Sequence, residues 1–455
     1  MEKFFKLKEN GTNVKTEILA GVTTFMTMAY ILAVNPNILS ASGMNSQAVL
    51  IATALAAFLG TLFMAWFANY PFALAPGMGL NAYFAYTVCG NMGYSWQVAL
   101  FAVFVEGVIF IILSATNVRE AIFNAIPASL KAAVSVGIGL FIAFIGLQDA
   151  KIVTNNDSTL VSIQSFSTAD RAVVVGAVLA LIGVLITAIL MVKQVKGNIL
   201  IGIIVTWVLG MICQVVGIYV PNPDAGTYSL FPSGIVSFDF SPIKETFFAC
   251  FDKGALSSIK ILDFIVIMFA FLFVDLFDTL GTLIGVSSKA GMLDKEGKLP
   301  RIKGALFADA TATCVGAVLG TSTTTTYVES ASGVTEGGRT GLTAITTAVL
   351  FLLAIIFSPL FLAIPSFAVA PALIIVGFYM MGNVMNIDFN DMAEAIPCFL
   401  CIMAMPLFYS ISEGICFGVI SWTIINLITG KAKEKKISVL MYVLTILFIL
   451  KYIFL

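Results

Sequence analysis

The chain has 455 residues, of which 59% are hydrophobic and 11% are charged, and its formal net charge is −1. Soluble domains are about a quarter charged, so this composition, with a mean hydropathy of +1.02, excludes an ordinary soluble protein and predicts an integral membrane protein. The chain has no block of basic residues, and its balanced charge gives no indication of nucleic-acid binding.

Apolar segments follow one another along the whole chain. Most are roughly 17–24 residues long, and a helix needs about 20 apolar residues to cross a bilayer, whereas a β-barrel would show alternating segments of about 10 residues. We therefore predict an all-α polytopic membrane protein. About fifteen apolar segments are recognised, at 17–39, 47–69, 72–89, 95–115, 129–148, 170–192, 198–220, 260–286, 304–320, 321–336, 340–364, 366–385, 393–411, 413–430 and 437–455.

Lysines and arginines in short loops indicate the orientation, because such loops stay in the cytoplasm. We expect about fourteen transmembrane segments, a cytoplasmic N-terminus and a multi-pass protein of the cell (plasma) membrane. This arrangement places the following residues on the cytoplasmic side: Lys3, Lys6, Lys8, Lys15, Arg119, Lys131, Lys193, Lys196, Lys289, Lys295, Lys298, Arg301, Lys303, Arg339, Lys431, Lys433, Lys435 and Lys436. No cleavable signal peptide is recognised, so the first helix is expected to remain as an anchor.

The chain is predicted to consist of two similar halves. We assign the first repeat of seven segments to 1–220 and the second to 259–430. An external loop at 221–258 lies between them, and a basic linker with an extra hydrophobic segment follows at 431–455. The loop assignment depends on Pro221, Pro223, Pro232 and Pro242, because proline favours turns. The extra segment at 437–455 either lies along the membrane interface or crosses once more.

Two short, interrupted segments occupy matching positions in the two halves. The third segment contains Pro76, Gly77 and Gly79 within 72–83, and the tenth, at 320–329, consists largely of threonines. Paired interrupted segments of this kind are typical of inverted repeats with a binding site near the middle of the membrane. The alternative is a pair of ordinary re-entrant loops without a site.

Ionisable residues within apolar segments are the strongest indication of a functional site. A charged side chain at the bilayer centre costs at least about 2.5–3.5 kcal/mol, and the candidates are Glu106, Asp275, Asp278, Asp309 and Glu329. Asp275 and Asp278 are three residues apart and share one helix face. Two carboxylates that close do not both ionise readily, so one is expected to hold a proton near neutrality. We predict proton coupling through Asp278, Asp275 and Glu329, the alternative being that such acids brace neighbouring helices.

Polar and aromatic residues complete the predicted substrate site. Carboxylates accept hydrogen bonds from ring N–H groups, an amide can both donate and accept, and aromatic rings stack on a planar ligand. The substrate-binding candidates are Asp275, Glu329, Asn81, Thr325, Thr326, Tyr327, Tyr83 and Phe25. Thr279 and Asp309 are expected to support the site from behind, with helix bracing as the alternative for Asp309. Asn81 has the alternative of a helix N-cap, and Glu106 is expected to form hydrogen bonds within the bundle.

The cysteines and the absence of histidine limit cofactor chemistry. The sequence has no histidine, which argues against haem, most zinc sites and a histidine proton relay. The seven cysteines are Cys89, Cys213, Cys250, Cys314, Cys398, Cys401 and Cys416. Cys398 and Cys401 lie within one predicted membrane helix, where we interpret them as small apolar side chains. We predict no metal, no cofactor and no enzymatic activity.

Five stretches of the chain resemble the hallmark segments of one transporter family. They are similar to the AzgA-like purine permeases, a branch of the xanthine/uracil permease, or nucleobase–cation symporter-2, family, and lie at 16–25, 28–36, 75–84, 273–282 and 320–341. The resemblance covers nearly the whole chain. It implies fourteen spans in two inverted repeats of seven, with short extended stretches in segments 3 and 10. A core domain (segments 1–4 and 8–11) is then expected to move against a gate domain (segments 5–7 and 12–14).

The resemblance also assigns individual residues. Asp275 matches the acidic position of the eighth segment, Glu329 that of the tenth, and Asn81 the polar position of the third. Asp278 falls near the place where the uracil-type relatives have a histidine, which agrees with the absence of histidine here. The segment at 437–455 departs from the fourteen-span pattern.

The expected function is that of a secondary active transporter that imports purine nucleobases (hypoxanthine, guanine or adenine) by proton symport with alternating access. Asp275 and Glu329 are expected to hold the base. The expected partners are the purine, the proton and membrane lipid, and the wider fold suggests a homodimer by analogy. An anion transporter on the same scaffold and a channel are the alternatives. An intramembrane aspartyl protease needs aspartates on facing helices, whereas Asp275 and Asp278 share one helix.

Overall fold

The computed structural model describes residues 2–115, 126–222, 226–257, 259–289, 292 and 299–454, most of which are helical. Arg119, Pro223, Lys295 and Lys298, which entered the sequence analysis, lie outside the described residues.

The described residues contain nineteen α-helices and four short strands. The helices are α1 (Glu2–Phe5), α2 (Val14–Met28), α3 (Ile31–Ser40), α4 (Ser46–Phe67), α5 (Met78–Ala82), α6 (Trp96–Ala115), α7 (Ala128–Asp149), α8 (Arg171–Val192), α9 (Asn198–Val215), α10 (Lys253–Leu256), α11 (Ile261–Lys289), α12 (Ile302–Leu319), α13 (Ser330–Thr335), α14 (Gly341–Ala354), α15 (Ser358–Leu362), α16 (Ser366–Met381), α17 (Met392–Leu407), α18 (Ile411–Ile428) and α19 (Val439–Phe454). The strands are β1 (Leu74–Pro76), β2 (Val153–Asn156), β3 (Leu160–Ile163) and β4 (Thr324–Thr326). A π-helix (Tyr83–Asn91) continues α5, and short 3₁₀ helices lie at Ser241–Glu245, Ala249–Phe251, Ile355–Phe357 and Gly382–Asn386.

Ten helical stretches among the described residues are long and apolar enough to cross a membrane. They are Val14–Ser40, Ser46–Phe67, Trp96–Ser114, Ala128–Asp149, Arg171–Val192, Asn198–Val215, Ile302–Leu319, Gly341–Leu362, Ser366–Asn386 and Ile411–Ile428. Two shorter apolar helices, Met392–Leu407 and Val439–Leu450, accompany them. The prediction of a helical, polytopic membrane protein is confirmed, and the count of fourteen crossings stays a prediction.

A buried carboxylate holds the start of α14. The first N–H groups of a helix have no partner within the helix, and a negative charge is favourable at that end. Glu17 of α2, which is fully buried, accepts hydrogen bonds from the backbone N–H of Arg339 (2.9 Å) and from the hydroxyls of Thr340 (2.9 Å) and Thr343 (2.6 Å). Glu17 therefore joins α2 to α14 and is a structural acid.

Helix packing divides the bundle into two groups. The first helix group comprises α2–α6 and α11–α14, in which α12 packs against α4 and α6, and α14 against α2 and α4. The second helix group comprises α7–α9 and α16–α18, in which α7 packs against α16 and α17.

Two glycines let α7 and α16 cross at very short distance. A β-carbon at Gly139 would lie 2.7 Å from the carbonyl oxygen of Gly377, and one at Gly377 would overlap the carbonyl oxygen of Gly139. Small residues at such crossings allow the two backbones to touch within a membrane. The crossing holds the second helix group together.

The course of α7 follows from contacts at one end of the bundle, here called the N-terminal face. Thr12 donates to the carbonyl of Gly337 (3.4 Å), and Lys196, in the turn after α8, pairs with Glu336. Since α8 ends at this face, it begins at the opposite face, and the β2–β3 hairpin joins that beginning to the end of α7. Helix α7 therefore runs from the N-terminal face at Ala128 to the opposite face at Asp149.

Ion pairs attach the basic linker to the start of α17. Lys435 and Lys431 lie 2.6 Å and 3.0 Å from the carboxylate oxygens of Asp391, and Lys435 also lies 3.1 Å from Glu394. Hydrogen bonds from these two ammonium groups hold the pKa of Asp391 well below its usual range. Ser129 of α7 donates to Glu394 as well, so the linker lies at the N-terminal face.

The extra hydrophobic segment is a helix that runs back along α18. In α19, Tyr452 donates to Glu413 and its ring lies 6.1 Å from that of Phe417, both near the start of α18. Phe448 contacts Phe269 of α11 at a ring distance of 5.7 Å. The 16 residues of α19 span about 24 Å and contact both helix groups.

We expect Gly377→Ala to lower the melting temperature of the detergent-solubilised protein, because overpacking a close helix crossing costs about 1–3 kcal/mol. Gly382→Ala is the matched control, since a β-carbon at Gly382 meets no atom within 4 Å. Size-exclusion chromatography after heating would measure both variants. Equal melting temperatures for the two variants would contradict the role of the crossing.

Candidate functional site

The two interrupted segments meet in the interior of the bundle. Strands β1 and β4 pair antiparallel, with Ala75 opposite Thr325. The ladder extends beyond both strands, because Gly77 N–H donates to the carbonyl of Thr323 (3.0 Å) and Tyr327 N–H to that of Ala73 (2.9 Å). All of these residues are buried. Non-helical backbone is tolerated inside a membrane protein where the protein satisfies it.

The Thr61 side chain of α4 hydrogen-bonds to backbone groups of β1 that point away from β4. In an antiparallel pair, alternate residues direct both their N–H and C=O groups away from the partner strand, and Leu74 is at such a position. The Thr61 hydroxyl accepts from the N–H of Leu74 (2.9 Å) and lies 3.2 Å from its carbonyl oxygen. One hydroxyl thereby replaces the second strand neighbour that β1 lacks on this side.

The threonine run is held by polar side chains from several helices. The contacts are Asn35 to Thr321 (2.9 Å), Ser322 to Asn81, Thr323 to Glu106 (2.8 Å), Thr325 with Thr279 (2.6 Å), and the N–H of Thr326 to Asp309 (3.2 Å). Each partner comes from a different element of the first helix group. Asn81, Glu106 and Asp309 thus position the tenth segment.

Two carboxylates approach one hydroxyl behind the threonine run. The Thr279 hydroxyl oxygen lies 3.0 Å from Asp275 Oδ1 and 2.9 Å from Asp309 Oδ1. Asp275, Thr279 and Asp309 are fully buried, and Thr279 also contacts the Thr325 hydroxyl. This cluster lies within hydrogen-bonding distance of β4, between α11 and α12.

A cavity of about 780 Å³ lies in front of this cluster. It follows α7 from Ala128 and Lys131, at the N-terminal face, to Ile142, about 20 Å further along the helix. Asn386, after α16, lines the cavity and is exposed. The cavity therefore opens at the N-terminal face. Its polar lining consists of Tyr30, Lys131, Ser135, Asp278, Thr282, Thr326, Tyr327, Glu329, Tyr379, Asn383 and Asn386.

Two carboxyl groups line the inner part of the cavity. Glu329, which precedes α13, accepts a hydrogen bond of 2.7 Å from the Tyr30 hydroxyl. Asp278 faces the end of β1, where a β-carbon on Gly77 would lie 3.5 Å from its Oδ2 and 2.8 Å from a methyl carbon of Thr325. Glycine at position 77 therefore lets the strand end pack closely against Thr325, beside this carboxylate. Apolar side chains such as Ile138 and Val376 form the facing wall.

The predicted site residues fall into two sets. Glu329, Thr326, Tyr327 and Asp278 line the cavity. Asp275, Thr279, Thr325, Asp309 and Asn81 lie behind it, within the polar contacts described above. The roles assigned to both sets stay predictions.

Two predicted aromatic residues lie elsewhere. The ring of Phe25 packs against Phe351 (5.1 Å) and that of Tyr83 against Phe271 (4.9 Å), and neither lines the cavity. The prediction had depended on their aromatic character, which the packed interior also requires. Their role in stacking on a ligand stays a prediction.

Several residues that line the cavity are not among the predicted site residues. Tyr30 and Thr282 belong to stretches that carried the resemblance, at 28–36 and 273–282. Lys131 and Asn383 lie in the largely apolar helical stretches Ala128–Asp149 and Ser366–Asn386. Their polar character within such helices was the signal that could have identified them.

Comparison with known proteins identifies one family. Residues 15–417 match the model of a group described as the permease family. The guanine/hypoxanthine permease PbuO of Bacillus subtilis is 45% identical over 451 residues, which cover 98% of this chain and 99% of that protein. The adenine permease AdeP of Escherichia coli is 40% identical over 454 residues, which cover 100% of this chain and 96% of that protein.

A solved structure has a similar fold. The transmembrane domain of the cyanobacterial bicarbonate transporter BicA superposes with a TM-score of 0.63 and covers 89% of this chain and 97% of its own. The identity is 15%, so the likeness concerns the fold alone.

We expect Thr61→Val to destabilise the protein, because two buried backbone groups of Leu74 would lose their side-chain partner. Each such loss costs about 1–3 kcal/mol, and the melting temperature in detergent should fall by several degrees. Thr61→Ser, which keeps the hydroxyl, should melt near the native protein. A Thr61→Val variant as stable as Thr61→Ser would contradict this role.

Proposed function

The chain belongs to the permease family that its residues 15–417 match, and from this premise we propose that it imports purine nucleobases by proton symport with alternating access. The members that it resembles closely along their full length are permeases, so the protein is a transporter and not an enzyme. Two of these relatives carry guanine, hypoxanthine or adenine in their names, which supports a purine as cargo.

The observation that carries the proposal is the pair of carboxyl groups, Asp278 and Glu329, on one cavity. Purines present ring N–H and exocyclic amino donors, which carboxylates accept. The Tyr30 hydroxyl orients Glu329 through its 2.7 Å hydrogen bond. We give Asp278 the base-holding role that the sequence assigned to Asp275, because Asp278 lines the cavity whereas Asp275 lies behind it.

The charge of the cavity disfavours an anion as cargo. Carboxylates repel anions, and among the described lining residues the single cationic side chain is Lys131, at the cavity mouth. The likeness to a bicarbonate transporter extends to the fold alone. We therefore retain the purine proposal over an anion carrier.

The geometry of the buried cluster supports proton coupling. The hydroxyls of Thr279 and Thr325 are 2.6 Å apart. The carboxyl groups of Asp275 and Asp309 both lie 2.9–3.0 Å from the Thr279 hydroxyl. Two acids so close in a buried site do not both ionise readily. We propose that Asp275 and Asp309 share the transported proton, with Asp278 and Glu329 as the neighbouring acids.

This cluster couples the proton to the substrate site by direct contact. Asp309 holds the N–H of Thr326, whose side chain lines the cavity. Asp275 is three residues before Asp278 on α11. A change of protonation in the cluster would therefore act on two residues that line the cavity, Thr326 and Asp278.

The two helix groups provide the moving parts of the proposed mechanism. We propose that the chain forms two inverted repeats of seven segments, that the first helix group is the core domain, and that the second is the gate domain. The site lies on the first helix group and faces α7 and α16 of the second. We also propose that the N-terminal face, which carries Lys196, Lys431 and Lys435, is cytoplasmic in the plasma membrane. A homodimer remains an expectation of the family analogy.

We expect Asp278→Asn and Glu329→Gln each to lower kcat/KM for purine uptake about 10- to 100-fold, since a hydrogen bond to a charged group is worth about 1.5–3 kcal/mol. Uptake of radiolabelled hypoxanthine, guanine and adenine into proteoliposomes with an imposed proton gradient would measure this. Glu336→Gln is the control, because Glu336 lies on the surface beside Lys196. Absence of purine uptake by the native protein under any gradient would refute the proposed cargo.

We expect Asp309→Asn and Thr279→Val to abolish proton-driven accumulation of purine while preserving exchange of internal for external purine. Asparagine keeps an acceptor for the N–H of Thr326, so the site should persist. Thr279→Ser retains the hydroxyl and should accumulate purine as the native protein does. Full gradient-driven accumulation by Asp309→Asn would rule out this cluster as the proton holder.

A further inference from the structure

Tyr409, in the turn between α17 and α18, has an unusual backbone conformation. Its φ is +54°, in the left-handed region that bulky residues rarely adopt. Such strained residues concentrate at functional sites and persist where the surrounding contacts enforce them. The contacts of Tyr409 therefore indicate what enforces this conformation.

The side chain and carbonyl of Tyr409 join the two helix groups. Its ring lies 5.3 Å from that of Phe141 and 6.1 Å from that of Phe144, both on α7 of the second helix group. On the other side its ring lies 5.8 Å from Tyr86 of the π-helix, and its carbonyl accepts a 3.2 Å hydrogen bond from the Thr87 hydroxyl. The ring pairs meet edge to face at 72–82°, the arrangement that aromatic quadrupoles favour.

These contacts lie directly beyond the inner end of the cavity. On α7 the last cavity residue is Ile142, and the rings of Phe141 and Phe144 flank it in sequence. On the other helix group, Gly77 and Gly79 line the cavity, and Tyr86 follows about two helical turns later towards the opposite face. The cavity is therefore open at the N-terminal face and closed by aromatic rings on the other side.

We propose that Tyr409 is the gate residue that closes the substrate cavity at the opposite face. The inference goes beyond the cargo and the proton but rests on the alternating access of the proposed function. Opening to the opposite face requires Tyr86 and Thr87, in the first helix group, to separate from Tyr409, Phe141 and Phe144. The ring of Tyr409 is the part that both sides contact, so its removal shifts the population towards the state open at the opposite face.

Cysteine accessibility tests this proposal without any substrate. Ile142→Cys places a thiol at the inner end of the cavity, and a membrane-impermeant maleimide is added to one face of oriented vesicles at a time. Among the native cysteines, Cys89 and Cys213 are half-buried and the other five are buried, so the protein with Ile142 intact supplies the background. We expect Ile142→Cys to label from the N-terminal face, and the additional change Tyr409→Ala to raise labelling from the opposite face on the order of 10-fold.

The matched control is the neighbouring residue. Phe408 is 46% exposed and its ring packs against Phe417, at 5.2 Å, away from the closure. Phe408→Ala and Tyr409→Phe should both leave labelling from the opposite face unchanged. Tyr409→Gly removes the ring but suits the left-handed backbone, and it replaces Tyr409→Ala if that variant elutes as aggregate.

The labelling result tests the gate independently of the proposed cargo. Equal opposite-face labelling with and without the Tyr409 ring would overturn the gate, even if purine uptake is found. Increased labelling on removal of the ring would support the gate, even if the uptake assays refute a purine cargo. An increase of the same size with Phe408→Ala would also overturn the assignment, because general loosening of the turn would then explain it.

Discussion

The structure depends on one constraint: the interior of a bilayer offers no water to unpaired backbone N–H and C=O groups. Two segments nevertheless abandon helix geometry in the middle of the bundle, and side chains and backbone of the protein provide partners for groups that they free. Strand β1 pairs with β4, and the Thr61 hydroxyl hydrogen-bonds to the backbone of Leu74. Side chains from several helices hydrogen-bond to the threonine run. These partners belong to the first helix group, so the inner wall of the cavity is built from that group.

The same constraint explains why the buried acids have different tasks. Glu17 holds the start of α14, and Glu106 holds Thr323. Asp309 holds the backbone of Thr326 and shares Thr279 with Asp275. Asp278 and Glu329 are the acids that face the cavity. The cost of a charge within a membrane marks all of these residues as important, but only their neighbours distinguish a structural carboxylate from one that contacts a ligand.

Periodicity and composition predicted the helical membrane fold, since continuous apolar runs leave few other structures. The breaks at Pro76–Gly77 and in the threonine run indicated where the two interrupted segments meet at the candidate site, because residues that disfavour helices are visible in sequence. The division between Asp275 and Asp278 could not be predicted, since both share one helix face and the distinction depends on Thr279, Asp309 and α12. Phe25 and Tyr83 could not be separated from packing residues, because each aromatic contact joins helices distant in sequence.

Helix α19 contacts both helix groups. Phe448 contacts α11 of the first helix group, while Tyr452 contacts α18 of the second, and ion pairs attach the preceding linker to the start of α17. Any sliding of one helix group past the other must shear these aromatic contacts. In the proposed alternating-access mechanism, α19 would therefore resist relative movement of the two helix groups, and a chain shortened to end at the linker would move more freely.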